Sequence, residues 1–77
     1  MMNNDIFNYI MSLLIDNATD VVEDVKRNPD SNYEKGRQLA YYEVLDTIRN
    51  VLDVYEYDLN ECGLEEDPMK MLYPKGT

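Results

Sequence analysis

The sequence contains no histidine and no tryptophan, a single cysteine, and only three glycines and three prolines in 77 residues. Without histidine, and with Cys62 as the sole thiol, the usual zinc ligand sets and a disulfide within the chain are both excluded. The histidine-dependent nucleophilic and acid-base pairs are missing as well, and there is no glycine-rich phosphate loop. We therefore predict a protein that is not an enzyme and that uses no cofactor and no resident metal.

Basic residues are also scarce, since 7 lysines and arginines stand against 16 aspartates and glutamates, for a net charge of -9. This balance opposes binding to nucleic acid phosphates and to anionic membranes. The N-terminal stretch has no basic start of the kind found in signal peptides, and Asp5, Asn8 and Ser12 interrupt its apolar run. We expect a cytoplasmic protein that binds neither nucleic acid nor a membrane directly.

The first predicted helix covers residues 5–27. Its apolar residues alternate steps of four and three, which keeps them on one helical stripe: Phe7, Met11, Leu14, Ala18, Val21 and Val25. Asp5 suits the positive end of the helix dipole, Lys26 and Arg27 suit the negative end, and Asn28-Pro29 ends the helix.

A second helix is predicted over residues 32–62. Ser31 and Glu34 have the spacing of a capping box, in which each side chain binds the other residue's free amide. The stripe that follows again alternates steps of four and three: Tyr41, Leu45, Ile48, Leu52, Tyr55, Leu59 and Cys62. Gly63 is suited to end this helix, and a break near Asp58 is an alternative.

The short loop predicts an all-α fold in which residues 1–63 form an antiparallel helical hairpin and residues 64–77 form a short irregular tail. Helix 1 carries more apolar surface than one partner helix can cover, so we expect two hairpins to form a homodimeric four-helix bundle. The residues expected in the core or the dimer interface are Phe7, Ile10, Met11, Leu14, Tyr41, Leu45, Ile48, Leu52 and Tyr55.

Gly36 is unusual because it lies one turn inside the second helix, where glycine costs roughly 1 kcal/mol relative to alanine. Together with Ala40 it forms a strip of small residues. We expect this strip to allow close packing against the end of helix 1 or against a tyrosine from a partner, the alternative being a tolerated surface glycine.

The run Glu34 to Ile48, EKGRQLAYYEVLDTI, resembles a pattern of small acidic uncharacterised proteins of Firmicutes, many of them from phage or mobile elements. The matching positions are Gly36, Arg37, Ala40, Tyr41, Tyr42, Glu43 and Leu45. The resemblance implies a helical packing motif and no catalytic role.

Seven acidic residues and no basic one lie between Asp53 and Asp67, and an apolar group follows in the tail. Such surfaces steer and bind partners. The candidate partner contacts are Asp53, Glu56, Asp58, Glu61, Met69, Leu72 and Tyr73.

The favoured interpretation is a protein-interaction module with an unidentified protein partner. One alternative is an inhibitor that presents carboxylates in place of DNA phosphates to a nucleic-acid-binding enzyme. A second alternative is weak divalent-metal binding by carboxylates on the outer face of helix 1: Asp16, Asp20, Glu23 and Asp24.

Overall fold

The computed structural model describes residues 4–74 and has three helices over that range: α1 at Asn4–Arg27, α2 at Asn32–Val54 and α3 at Pro68–Leu72. The described residues include no strand, so the predicted all-α class and its two long helices are confirmed. Helix α1 begins one residue before its predicted start and ends at its predicted last residue.

The turn between α1 and α2 uses half of the predicted capping box. Ser31 is the N-cap of α2, and its Oγ accepts a hydrogen bond from the Glu34 amide at 3.1 Å. The reciprocal bond is replaced, because the Ser31 amide donates to the Asn28 carbonyl (3.0 Å) and the Glu34 carboxylate accepts from Arg37 (2.9 Å). The start of α2 was predicted correctly, but the hydrogen-bond partner of the Glu34 carboxylate was not.

The predicted end of the second helix at residue 62 is wrong, since α2 ends at Val54. The Tyr57 amide donates to the Leu52 carbonyl (2.9 Å) and the Glu56 amide to the Asp53 carbonyl (3.0 Å). With Glu56 in the left-handed region at φ 60°, these bonds form a Schellman closure. The chain reverses there, so Cys62 reaches the core from a separate segment rather than from an extended stripe.

Residues 55–74, called the returning segment below, fold back along the hairpin. The tail that was predicted to be irregular contains α3, which Asp67 caps by accepting a hydrogen bond from the Met69 amide (2.9 Å). Pro68 is the first residue of α3. A backbone amide there would have no partner within the helix, so the absence of one in proline has no cost. Pro68 and Leu72 are buried, so the prediction of Leu72 as a partner contact is wrong and the residue belongs to the core.

The core lies where α1, α2 and the returning segment meet. Its buried apolar residues are Met11, Ala18, Val21, Val22, Leu45, Cys62, Leu64 and Leu72. Several partly buried side chains pack against it, among them Phe7, Leu14, Tyr41, Ile48 and Leu52. The returning segment therefore forms a third layer, which the predicted two-helix hairpin lacked.

Side chains of the long helices hold the returning segment in place. The Gln38 amide donates to the Leu72 carbonyl (2.7 Å), and Arg49 Nε donates to the Leu64 carbonyl (2.9 Å). Both bonds satisfy carbonyl groups in a segment with little regular structure of its own. They fix the segment along one side of α2.

Aromatic contacts tie down both ends of this segment. The Tyr57 ring packs edge-on against Phe7 at 5.6 Å between centroids, and its hydroxyl donates to Asn8 Oδ1 at 3.0 Å. Burial raises the pKa of the Tyr57 phenol above its ordinary value. At the other end, Tyr73 meets Tyr42 edge-on at 6.2 Å.

The glycine that permits a close approach is Gly63, not Gly36. A Cβ at Gly36 would have no neighbour within 4 Å, and Ala40 is exposed, so the predicted close packing of this strip within the chain is wrong. By helical spacing, Gly36 lies on the side of α2 opposite the buried Leu45. Gly63 has φ 82°, and a Cβ there would lie 2.8 Å from Ile15 Cδ1.

We expect Gly36→Ala to raise the free energy of unfolding by about 1 kcal/mol, because alanine loses less backbone entropy in a helix. Gly63→Ala should lower it by about 1–3 kcal/mol, since alanine would adopt an unfavourable φ and displace Ile15. Urea unfolding followed by circular dichroism measures both. Destabilisation by Gly36→Ala would contradict the open surroundings of that glycine.

Glu56→Gly should stabilise the protein by roughly 0.5–1 kcal/mol, because glycine adopts the left-handed conformation at the end of α2 without a Cβ penalty. Glu56→Gln serves as the control, since it removes the charge and keeps the Cβ. Thermal unfolding of the two variants separates the backbone effect from the charge effect, and an equal shift in both would refute the backbone explanation.

Candidate functional site

One side of the hairpin carries a continuous set of apolar side chains from both long helices, called the apolar face below. On α1, residue 10 follows residue 6 by four positions, and residues 13 and 14 follow residue 10 by three and four. On α2 and its C-cap residue the members are 41, 44, 48, 51 and 55. Steps of three and four keep residues on one side of a helix. The members of the apolar face are Ile6, Ile10, Leu13, Leu14, Tyr41, Val44, Ile48, Val51 and Tyr55. None of the nine carries a charge.

Most of the apolar face is accessible to solvent. Its most exposed members are Tyr55 at 80%, together with five side chains between 45% and 59% exposed: Ile6, Ile10, Leu13, Val44 and Val51. The remaining three, Leu14, Tyr41 and Ile48, are partly buried and pack against the core, so the face is continuous with the interior. Exposed apolar groups in one continuous patch indicate a surface for binding another molecule.

A shallow depression marks the seam between α1 and α2 on this face. It has a volume of about 280 Å³ and is lined by Leu14, Ala40, Tyr41 and Val44. Depressions of this kind between neighbouring side chains are the holes that knobs occupy in helix packing.

The opposite side of the hairpin is occupied by the returning segment. On α1, Asn8 binds Tyr57, and Ile15 approaches Gly63. On α2, Gln38 and Arg49 bind the segment's carbonyl groups. The described residues thus supply one covering layer, and it lies on the side away from the apolar face.

An ion-pair cluster closes the apolar face at the end near the interhelical loop. Arg37 Nη1 lies 3.1 Å from Asp24 Oδ2 and 2.9 Å from Glu34 Oε2, and Arg27 also pairs with Asp24. The guanidinium of Arg37 also lies 5.8 Å from the Tyr33 ring centroid. The bonds from Arg37 and Arg27 hold the pKa of the Asp24 carboxyl below its usual value.

The opposite end of the hairpin is acidic. Four exposed carboxylates lie there, at the end of α2 and the start of the returning segment, and they are called the acidic end below: Asp53, Glu56, Asp58 and Glu61. Within residues 4–74, the four ion pairs found all lie between residues 23 and 37, so none of them neutralises this end. The acidic end retains its full negative field.

The predicted interface residues divide between the core and the apolar face. Met11 and Leu45 are buried, and Phe7 and Leu52 pack beside them. Ile10 and Tyr55 are exposed on the apolar face, as are Val44 and Val51, which the predicted set left out. The four-three spacing that places these valines on one side was present in the sequence, but their exposure depends on where the returning segment lies. Met69 and Tyr73, two predicted partner contacts, are exposed on that segment.

The chemistry of the remaining groups is limited. Over residues 4–74, no three acidic or cysteine side chains come close enough to hold a metal ion, and Asp24 of the suggested set is paired with arginines instead. The Cys62 thiol is buried, and burial raises its pKa, which disfavours the nucleophilic thiolate. Neither long helix, within the part of the chain described, is apolar over a length that crosses a bilayer.

Comparison with known proteins returns no match: no family model, no curated protein and no solved structure is significantly similar to the chain. The function is therefore inferred from the surfaces described above.

Replacing Asp24 by asparagine should reduce the loss of stability in acid. The pKa of Asp24 is lowered in the folded state. The contribution of its ion pairs to the free energy of unfolding is therefore fully present above the pKa of the unfolded state, and it is lost as the pH falls through the pKa of the folded state. The difference in unfolding free energy between wild type and Asp24→Asn should therefore shrink below about pH 4. Urea unfolding at pH 2.5 and pH 6 measures it, with Asp20→Asn as the unpaired control. A difference that does not change with pH would contradict the ion pair.

Proposed function

We propose that the protein is a non-enzymatic interaction module of the cytoplasm, in which two hairpins associate through their apolar faces to form a four-helix bundle. The observation that supports this is the apolar face itself: nine uncharged side chains on one side of two antiparallel helices, with the chain's own third layer on the other side. A helix pair with an uncovered apolar side is half of a four-helix bundle.

The size of the apolar face is consistent with this association. The exposed fractions correspond to several hundred Å² per copy, on the order of the roughly 800 Å² that each partner buries in a standard interface. Burying apolar surface contributes about 25 cal/mol per Å², part of which is offset by the entropy lost on association. A second hairpin also supplies the depth of packing that a 77-residue chain lacks.

The acidic end is the second surface of the proposed module. It stays exposed in the proposed dimer, because Glu56, Asp58 and Glu61 belong to the returning segment on the other side of the hairpin and Asp53 is not part of the apolar face. Negative charge of this density attracts a protein with a basic surface and accelerates the encounter. We propose this end as the contact for the unidentified protein partner.

Inhibition of a nucleic-acid-binding enzyme is the second candidate function. It is favoured by one observation, the exposure of all seven carboxylates between residues 53 and 67, where no basic side chain interrupts them. A row of exposed carboxylates presents a charge pattern that a phosphate-binding groove accepts.

Val44→Lys should abolish dimer formation, with a dissociation constant at least about 100-fold higher, because each dimer would bury two unpaired ammonium groups. Val54→Lys is the matched control, since Val54 is 76% exposed on α2 but lies off the apolar face. Light scattering over a dilution series measures the mass, and circular dichroism verifies that both variants remain helical.

A wild-type protein that stays monomeric at millimolar concentration would refute the dimer. Unfolding of Val44→Lys alone would mean instead that the apolar face belongs to the fold of the single chain. Equal dissociation of both variants would place the interface elsewhere on α2.

A further inference from the structure

The returning segment is joined to the hairpin by apolar burial and by side-chain hydrogen bonds. Arg49 and Gln38 each donate to one of its carbonyl groups, and its Tyr57 hydroxyl donates to Asn8. The four ion pairs found within the described residues all lie between residues 23 and 37, and none of them reaches the segment. Attraction between opposite charges in contact therefore does not hold the segment in place.

The returning segment and the hairpin carry net charge of the same sign. Residues 55–74 contain six acidic residues and one lysine, which gives a net charge of -5. Residues 4–54 contain ten acidic and five basic residues, which also gives -5. Like charges repel over distances up to a screening length of about 8 Å at physiological salt. Docking of the segment is thus opposed by repulsion, which the burial of its apolar side chains outweighs.

Two carboxylates share a depression at the joint between α1 and the returning segment. Asp16 belongs to α1 and Glu61 to the segment, and both line a depression of about 370 Å³. Both residues are exposed. The remaining residues that line this depression include no lysine or arginine: Asn8, Ser12, Ile15, Asn60, Cys62 and Gly63. The repulsion between the two parts is therefore concentrated at this joint.

The returning segment also begins at a natural hinge. Glu56 has φ 60°, a left-handed conformation that is unfavourable for a residue with a Cβ. A change of this residue to ordinary helical angles removes that cost and lets α2 continue, since the apolar spacing runs on through Leu59 and Cys62. Segments with few bonds to the rest of a fold open locally as units.

From the like charges, the shared depression and the hinge, we infer that the returning segment opens and closes as a unit about Glu56, and that ionic strength controls its closure. At low salt the repulsion between Asp16 and Glu61 is unscreened and favours opening, whereas added salt favours closure. A segment held by ion pairs would respond in the opposite direction. The returning segment lies on the side away from the apolar face, so its opening is independent of the proposed dimer.

Cys62 reports on the opening, because its side chain is 3% exposed and the chain has no other thiol. The measurement is its rate of reaction with iodoacetamide, an uncharged reagent, divided by the rate for the urea-unfolded protein at the same salt. Raising NaCl from about 20 mM to about 500 mM should slow the reaction by about two- to fivefold, as expected from screening a few like charges. A rate that is unchanged or faster at high salt would overturn the inference.

A pair of variants tests the joint itself. Glu61→Gln should slow the reaction at low salt and weaken its dependence on salt, because one of the two facing charges is removed. Glu43→Gln is the matched control, since Glu43 is exposed on the side of α2 opposite Leu45 and its loss changes the net charge equally. An equal effect of the two substitutions would show that net charge alone is responsible and would overturn the role of the joint.

Hydrogen exchange of the wild-type protein separates opening of the segment from unfolding of the whole chain. The amides of Tyr57 and Leu64, which bind carbonyl groups at the two turns, should exchange faster at low salt than at high salt. Amides in the middle of α1 and α2 should exchange more slowly than these at every salt concentration. Equal exchange in the segment and in both helices would mean that Cys62 reacts only through global unfolding, which would overturn a separate opening.

Discussion

A pair of antiparallel helices has two sides to cover, and the described residues cover one of them. The returning segment covers the side formed by Asn8, Ile15, Gln38 and Arg49. There it brings Cys62, Leu64 and Leu72 into the core and makes them almost fully buried. The other side keeps the apolar face, because no residues of the described chain remain to cover it. The position of the returning segment thus determines both which residues form the core and which apolar side chains stay exposed.

The reversal at the end of α2 decides which side is covered. Had α2 continued to residue 62, Leu59 and Cys62 would have extended a single stripe about 10 Å beyond α1. Instead, the Schellman closure at Glu56 turns the chain back, and a second bond of the same kind, from the Leu64 amide to the Leu59 carbonyl at 2.9 Å, turns it again at Gly63. The absence of a Cβ at Gly63 lets this second turn lie against Ile15. Two local backbone conformations therefore set the tertiary arrangement.

The sequence predicted the parts of the fold that depend on local pattern. The stripe from Phe7 to Val25 and the cap at Ser31 were sufficient to place α1 and the start of α2. The end of α2 was missed because the left-handed residue is a glutamate, and because the apolar spacing continues after it at Leu59 and Cys62.

The sequence Asp67-Pro68 is typical of a helix start. The short helix α3 that follows was not predicted, because it depends on the packing that buries Pro68. The candidate site was predicted in part for a similar reason. The surplus of apolar residues on α1 is a property of the sequence, whereas the exposure of Val44 and Val51 depends on which side the returning segment covers. Close packing was wrongly predicted at Gly36, because helix propensity gives the free-energy cost of a glycine but does not show which interaction, if any, offsets it.

Net charge and the apolar face act together on association. A copy that carries a charge of -9 repels other copies over most of its surface, so contacts between arbitrary patches are opposed. The apolar face has no charged residue, and there the repulsion is weakest while the gain from apolar burial is greatest. In the proposed dimer, acidic residues elsewhere would direct association to the apolar face, and the described residues present no second face of the same kind. We propose that the negative surface opposes aggregation and confines pairing to this face.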